Sequence, residues 1–551
     1  MSINATKLRH DLAPASPDDW KKLTEKDAFQ ALEQVKGQLF INNEWVDPKA
    51  GGKLDVVDPR TNDVVKQIAS AEPDDVDAAV KAARKAFDEG PWPRMGGKGR
   101  GRLLSNLADL MEEHLTQLAL LESLDAGKPL SQSMLKEIPL CIDNFRYFAG
   151  WADKLTGKVL PTDTPHHAYT LIEPLGVVAA ITPWNFPLME FTWKVAPALA
   201  AGNTVVIKVS KETALTALLM GDLAIQAGLP PGVLNILTGP GTSLGDALVE
   251  HPMVDKVTFT GSTSVGRGVG EKAGAGLKKY TLELGGKSPV IVCPDVDIDK
   301  AVEVAAMGLL YNMGQCCAAG TRLYVHTDIY DDFVAKYVKA LQAWKVGDPF
   351  KHDTQHGPQI NTRQLEKIQS YVDMGKKDPS CKLLCGGERV GDKGCYFQPT
   401  AFEVSDNAAK IAQEEIFGPV QCVFKWSDME QPTAFEVSDN AAKVAQEEIF
   451  GPVQCVFKWS DMEQVITAAN DNVYGLAAGV LAKSQATIDG LVRRLRAGTV
   501  WVNTYNVYDA GVPFGGYKES GVGREKSEYA LQAYTQVKAV YQPLEDPKAW
   551  H

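Results

Sequence analysis

Apolar positions in the first half of the chain follow two periods. In "PDDVDAAVKAARKAFDEG" they recur at Val76, Val80, Ala83 and Phe87, the spacing of a helix with one buried face, and Gly90 is its stop. "LFINNEWVDP", upstream of it, reads as a strand and a turn. From Gly176 short apolar runs alternate with helical stretches. "GVVAAI" is a buried strand and "LMEFTWKVAPALAAG" a helix; "TVVIKVS", "VLNILTG" and "KVTFTGS" are strands, each followed by a helical pattern. Strands that are apolar throughout need cover on both faces, so the order predicts an α/β fold with a helix-covered parallel sheet. Such sheets bind ligands beyond the carboxyl ends of their strands, which makes a nucleotide the leading expectation for this half. From about Lys287 to Gly498 helices such as "DIYDDFVAKYVKALQAW" mix with short strands. The terminal "TQVKAVYQPL" reads as a strand suited to joining subunits, with the low-charge "YTLIEPL" as its partner.

Length and charge narrow this picture. A chain of 551 residues exceeds one hydrophobic core, so two or more domains are expected. A net charge of −12, with no basic run, argues against nucleic acid as a partner. No apolar stretch is long enough to span a membrane. Nine cysteines in so long a chain make no disulfide framework and point to a reducing compartment, with most thiols buried. Cys381, Cys385 and Cys395 have only loose metal-like spacing with no histidine nearby, so no metal is expected. The N-terminus lacks an apolar signal core and is acidic at Asp11, Asp18 and Asp19, which argues against a transit peptide. The cytoplasm is the default compartment, with the mitochondrial matrix left open. Residues 1–35 read as an extension.

One stretch interrupts the pattern. Pro399–Gln431 and Pro432–Gln464 are adjacent blocks that differ only at Ile411 against Val444. Two near-identical copies are not a solenoid, which needs three or more diverged repeats. After the second copy the chain runs on as an amphipathic helix, with Val465 and Ala468 in phase with Met462. After the first it meets Pro432, which stops a helix. The second copy is therefore expected to occupy the fold, and the first, or a hybrid starting within it, to be extruded as a surplus loop.

Four motifs could carry chemistry. "YNMGQCCAAGTR" sets two cysteines among small residues, either a buried thiol pair or a nucleophile that substrate can approach. "YTLELGGKSP" puts Glu283 in an apolar run ahead of Gly285 and Gly286, where a carboxylate is either ion-paired or a general base with a raised pKa. "FTGSTSVGRGVG" follows a strand and opens a helix, a junction whose N–H groups can cradle phosphate. "ITPWNFPL" brackets Trp184-Asn185-Phe186 with prolines, leaving the Asn185 amide as a turn brace or an oxyanion donor.

Together with "GNTVVIK", "EEIFGPV" and "PFGGYKESG", these motifs resemble the aldehyde dehydrogenase family from about Phe40 to Tyr541. The resemblance implies a Rossmann-like nucleotide-binding domain, an α/β catalytic domain and a small β oligomerisation element. The boundaries expected are 36–150 and 175–285 for the NAD(P)-binding domain, 286–520 for the catalytic domain, and 151–174 with 521–551 for oligomerisation. It implies Cys317 as nucleophile, Glu283 as the base for thioester hydrolysis, Asn185 as oxyanion donor and Lys194 as their support. Lys208, Lys211, Gly241, Ser262 and Gly266 fall at cofactor positions. The nicotinamide ribose pair would be Glu448 and Phe450, or Glu415 and Phe417 in the other copy. Lys211 stands where NAD-preferring members commonly carry glutamate, so NAD is expected first, with NADP possible. Phe186, Glu190, Trp193, Tyr311, Tyr508 and Phe514 match substrate-tunnel positions. Glu190 either favours a cationic aldehyde or turns aside to pair with a lysine. Partners are then a small aldehyde and further copies of the chain, as a dimer or tetramer. Two alternatives remain: a cysteine esterase or acyl transferase, and a family member inactivated by the duplication.

Overall fold

The computed structural model describes residues 19–379, 381–404, 420–423, 455–459 and 461–544. Val177–Ile181, Thr204–Lys208, Leu234–Leu237 and Lys256–Thr260 are buried at every position, as their apolar runs require. They form the middle of an eight-stranded sheet. Its order is Glu44–Val46, Leu39–Ile41, Leu234–Leu237, Thr204–Lys208, Val177–Ile181, Lys256–Thr260, Lys279–Glu283 and Gly521–Val522. The five strands from Leu234–Leu237 to Lys279–Glu283 are parallel. From Val177–Ile181 the chain adds two strands on one side, then crosses to add two on the other, so the strand order reverses there. A reversal opens a crevice at the carboxyl ends of the strands.

Pro73–Asp88 covers this sheet with Val76, Ala79, Val80 and Ala83; Phe87, in its last turn, is half-buried with the Arg84 guanidinium over its ring. Pro187–Ala201 is buried along its whole length, and Leu215–Ala227 nearly so. Helices apolar all round belong between layers rather than at the surface.

The second sheet also has eight strands: Cys381–Cys385, Thr400–Val404, Val420–Val423, Cys455–Trp459, Arg322–His326, Pro289–Val292, Ala477–Leu481 and Thr499–Val502. All neighbours are parallel except the first pair. Here the repeat departs from expectation. Of the first copy's described residues, Val420–Val423 is not extruded: it lies between Thr400–Val404 and Cys455–Trp459 of the second copy, with Cys422 opposite Cys455 and Val423 opposite Val456. Equivalent residues face each other, the register that two identical parallel strands adopt most readily. The second copy's strand holds the inner place, against Arg322–His326.

Thr535–Pro543 pairs antiparallel with His166–Pro174, Val540 opposite Tyr169, so "YTLIEPL" is the partner expected for the terminal strand. Val159, Leu171, Val537 and Tyr541 of this three-stranded sheet are exposed. The last segment is shared, however, since Gly521–Val522 extends the first sheet. The N-terminal extension needs correction as well. From Asp19 it is packed: Glu25–Glu33 buries Ala28, Ala31 and Leu32, with Val35 following, and Trp20 is buried beside them. Those positions form a helical stripe too short to stand out in the sequence. Asp27 Oδ2 starts the helix by accepting from the Thr24 N–H at 2.7 Å.

Candidate active site

The helix Ile298–Leu310 runs into a turn in which Asn312, Met313 and Gly314 all have positive φ, +52°, +56° and +74°. Two consecutive non-glycine residues in that region are strained and persist only when held by their surroundings. The holding bonds are present. Asn312 Nδ2 donates to the Asn185 carbonyl at 2.7 Å and to the Gln315 carbonyl at 3.0 Å. Asn185 Nδ2 donates to the same Gln315 carbonyl at 3.1 Å. The proline-bracketed turn is thereby tied to the residues just ahead of the cysteine pair. Cys316 is buried, whereas Cys317 is partly exposed. The Cys316 thiol is drawn below its ordinary pKa, chiefly by its hydrogen bond with Cys317.

Glu283 ends the strand Lys279–Glu283 and is 3 % exposed, with neither carboxyl oxygen hydrogen-bonded among the described residues. Burial, then the nearby Glu525, pushes its pKa well above the carboxylate range. Two glycines let this segment close on its neighbours. A Cβ on Gly286 would lie 2.5 Å from the Cys317 carbonyl, and one on Gly515 would lie 2.8 Å from Glu283 Oε1. The "LELGG", "GQCC" and "PFGG" segments thus converge on one place.

Behind Glu283 lies a buried charge cluster. Lys194 is fully buried, and its ammonium donates to Thr260 Oγ1 at 2.6 Å, to Glu190 Oε2 at 3.2 Å and to Glu525 Oε1. Glu190 therefore turns aside to the lysine, and no free carboxylate remains at that tunnel position. Glu525 is raised to about 7, foremost by burial. Sequence reasoning missed it, because "GVGREKSEYA" looks like any solvated polar run. Lys256, also buried, is lowered to about 7 by desolvation.

The aromatic positions come together as a wall. Phe186 stacks on Tyr311 at 5.9 Å, Trp193 lies 5.4 Å from Phe514 and 6.0 Å from Tyr508, and Tyr508 lies 5.8 Å from Phe514. Tyr508 adjoins the cysteines: its hydroxyl donates to Asn506 Oδ1 at 3.4 Å, and the Cys316 thiol approaches the same oxygen at 3.9 Å.

The remaining candidates line the crevice of the first sheet. Lys208 ends its strand buried, its ammonium bonded to the Val209 carbonyl at 2.9 Å, and burial lowers it to about 8. Among the described residues two of its donors are left for a ligand. Ser262 caps Thr263–Ala275 through a 3.5 Å bond from the Val265 N–H, and Gly241 opens Gly241–Glu250 with empty space where a Cβ would stand. A Cβ on Gly266 would lie 2.2 Å from Leu284 Cδ2, so that helix packs closely on the residue after Glu283 and a larger side chain there would have to move Leu284 aside. Lys211 is half-exposed and pairs with Glu212 at 3.5 Å. A buried lysine with spare donors and two helix N-termini beside it fit a dinucleotide. Glu448, Phe450, Glu415 and Phe417 lie outside the described residues.

The chain is similar to known proteins over most of its length. The sequence model of the aldehyde dehydrogenase family matches residues 45–431 and again 429–540, the two matches meeting where the repeat begins its second copy. Aldehyde dehydrogenase family 2 member B4, mitochondrial, of Arabidopsis thaliana is 48% identical over 93% of this chain and 89% of its own length. Benzaldehyde dehydrogenase, mitochondrial, of Antirrhinum majus is 47% identical over 93% of this chain and 90% of its own. The NAD+ complex of aldehyde dehydrogenase from Bacillus cereus superposes with a TM-score of 0.85 at 40% identity, covering 94% of this chain and 98% of that one.

Proposed function

The chain belongs to the aldehyde dehydrogenase family, and we propose that it oxidises an aldehyde to the carboxylic acid with Cys317 as nucleophile and Glu283 as base. The observation that carries this reading is the partly exposed Cys317 on a loop that closes on the segment of Glu283, a buried carboxyl with no hydrogen bond among the described residues, with the Asn185 amide tied to the residue ahead of the cysteines. The Cys317 thiolate adds to the carbonyl carbon, and the C–O π electrons move to oxygen. The Asn185 Nδ2–H left free by Gln315, with the Cys317 backbone N–H, donates to that oxyanion. NAD, when bound, supplies the hydride acceptor. Loss of hydride from the carbon leaves a thioester on Cys317. Glu283 then takes a proton from water as its oxygen adds to the thioester. The C–S bond breaks, the acid departs and the thiolate is regenerated.

NAD is the first cofactor, in line with the NAD+ complex of the Bacillus cereus relative. Lys208, Ser262, Gly241 and Gly266 would hold it. Lys211, which would not repel a 2′-phosphate, supports use of NADP as well. We take 36–150 and 175–285 as the cofactor domain, 286–520 as the catalytic domain, and the three-stranded sheet as the subunit contact of a homodimer or homotetramer. Its exposed Val159, Leu171, Val537 and Tyr541 support that contact. The cytoplasm is the proposed compartment, with the matrix open because several relatives are mitochondrial. The repeat leaves one copy surplus to the cofactor site, and the copy whose strand lies on Arg322–His326 is the better candidate to serve it. The test is NADH formation at 340 nm with hexanal, run in parallel with NADP. The wild type turns over with both cofactors, and C317A, although folded, does not. Turnover by C317A would refute the nucleophile.

A further inference from the structure

The charges around the aromatic wall are unevenly matched. Glu190 and Glu525 are held by Lys194, and Glu137 by Lys128. Glu283 is driven toward its neutral form by burial. Two lysines on the same wall have no such match. Lys526 is only 3 % exposed, and its ammonium lies 5.2 Å from the Trp193 ring centroid and 5.3 Å from that of Tyr508. The ammonium makes no hydrogen bond or ion pair among the described residues. Lys136, half-buried, lies 4.2 Å from the Tyr311 ring, also without a hydrogen bond or ion pair among them. It is presented by the π-helical turn Ser133–Glu137, and such inserted turns gather at functional sites. Asp509, the acidic group acting on Lys526, is exposed and accepts instead from the Gly511 N–H at 2.8 Å.

A desolvated ammonium without a counter-charge is costly, and ring faces return only part of that cost. Lys526 and Ser527 also hold positive φ, +62° and +53°, a conformation kept at non-glycine residues only where the surroundings impose it. Burial brings Lys526 down to about 8, so it remains mostly protonated at neutral pH. The group that would match such an ammonium is an anion. The rings that carry the ammonium are the tunnel rings, and Tyr508 connects them to the cysteine pair.

We propose that Lys526 binds a carboxylate at the far end of the substrate, with Lys136 as the second cation on the wall, so that the preferred substrates are ω-carboxy aldehydes. This rests on the aldehyde-oxidising reading above and assigns its substrate class. It reverses the sign of the cationic aldehyde that Glu190 raised, because Glu190 is occupied by Lys194. The chemistry at Cys317 is unchanged: the distal carboxylate fixes the chain, and the aldehyde end meets the thiolate.

The test compares adipic semialdehyde with hexanal, which have the same chain length, for wild type, K526M and K526R. The wild type should have the higher kcat/KM for the carboxy aldehyde. In K526M the ratio of the two kcat/KM values should fall by about tenfold or more, mainly through KM, because a hydrogen bond to a charged group is lost. K526R should recover most of the ratio. A ratio equal in wild type and K526M, or a wild type that favours hexanal, would overturn the proposal. A merely structural role would lower kcat for both aldehydes alike, and that result also counts against it. If the wild type forms NADH from neither aldehyde, the parent reading falls and takes this one with it; hexanal turnover with an unchanged ratio removes this one alone.

Discussion

Glu283 shows how the environment of one residue sets its chemistry. Burial raises its pKa first, and the neighbouring Glu525 raises it further, while Lys194 opposes both. A general base must be deprotonated to act, so this group should govern the acid limb of the turnover profile. E525Q removes a negative charge and leaves Lys194 unopposed by it, so the Glu283 pKa falls and the acid limb of kcat moves to lower pH. Measuring kcat over about pH 5 to 9 checks this; a limb that stays in place or moves up would show that Glu525 does not act on the base. At this scale the sequence was uneven. Cys317, Glu283 and Asn185 stood out as candidates because each sits in a motif whose neighbours are small, apolar or proline, and their roles, like the choice of Lys194, came only from the family resemblance. Glu525 and Lys526 were not, because a buried charge and a solvated one are the same letter in a polar run. Only the three-dimensional approach of Lys194 and Trp193 tells them apart.

The elements of the first sheet were legible from composition, since strands such as Val177–Ile181 and Thr204–Lys208 are apolar throughout. The repeat was not. The sequence argument assumed a fixed number of strand places, so a second copy had to leave. An open parallel sheet imposes no such number: each strand offers its neighbour an unpaired row of N–H and C=O groups, and an identical strand satisfies it in register. Val420–Val423 is taken in on this basis. The chain therefore should not need it. Deleting Pro399–Gln431 joins Gln398 to Pro432 and recreates the same "QPTAFEV" junction. The deletion should leave a folded enzyme whose Tm and kcat/KM equal or exceed those of the full chain, measured by thermal melting and NADH formation. An insoluble or inactive product would show that the additional strand is required.

The two large sheets meet at the candidate active site: the first contributes Glu283 and the Asn185 turn at its strand ends, and the second carries the cysteine loop ahead of Arg322–His326. The motifs foretold which segments converge, but not the close contacts of Gly286 and Gly515 that allow it, because a glycine in sequence does not say what approaches it. Among the described residues no helix is long and apolar enough to cross a membrane. The central claim for the whole molecule is that both halves serve one covalent intermediate, formed at Cys317 and cleared by Glu283. Its most direct measurement is peptide mapping of E283Q after exposure to hexanal and NAD. The base being absent, steady turnover should drop by about 10²- to 10⁴-fold, while one equivalent of NADH forms rapidly and a hexanoyl thioester accumulates on the peptide bearing Cys317. No adduct, an adduct on Cys316 or another thiol, or undiminished turnover would contradict it.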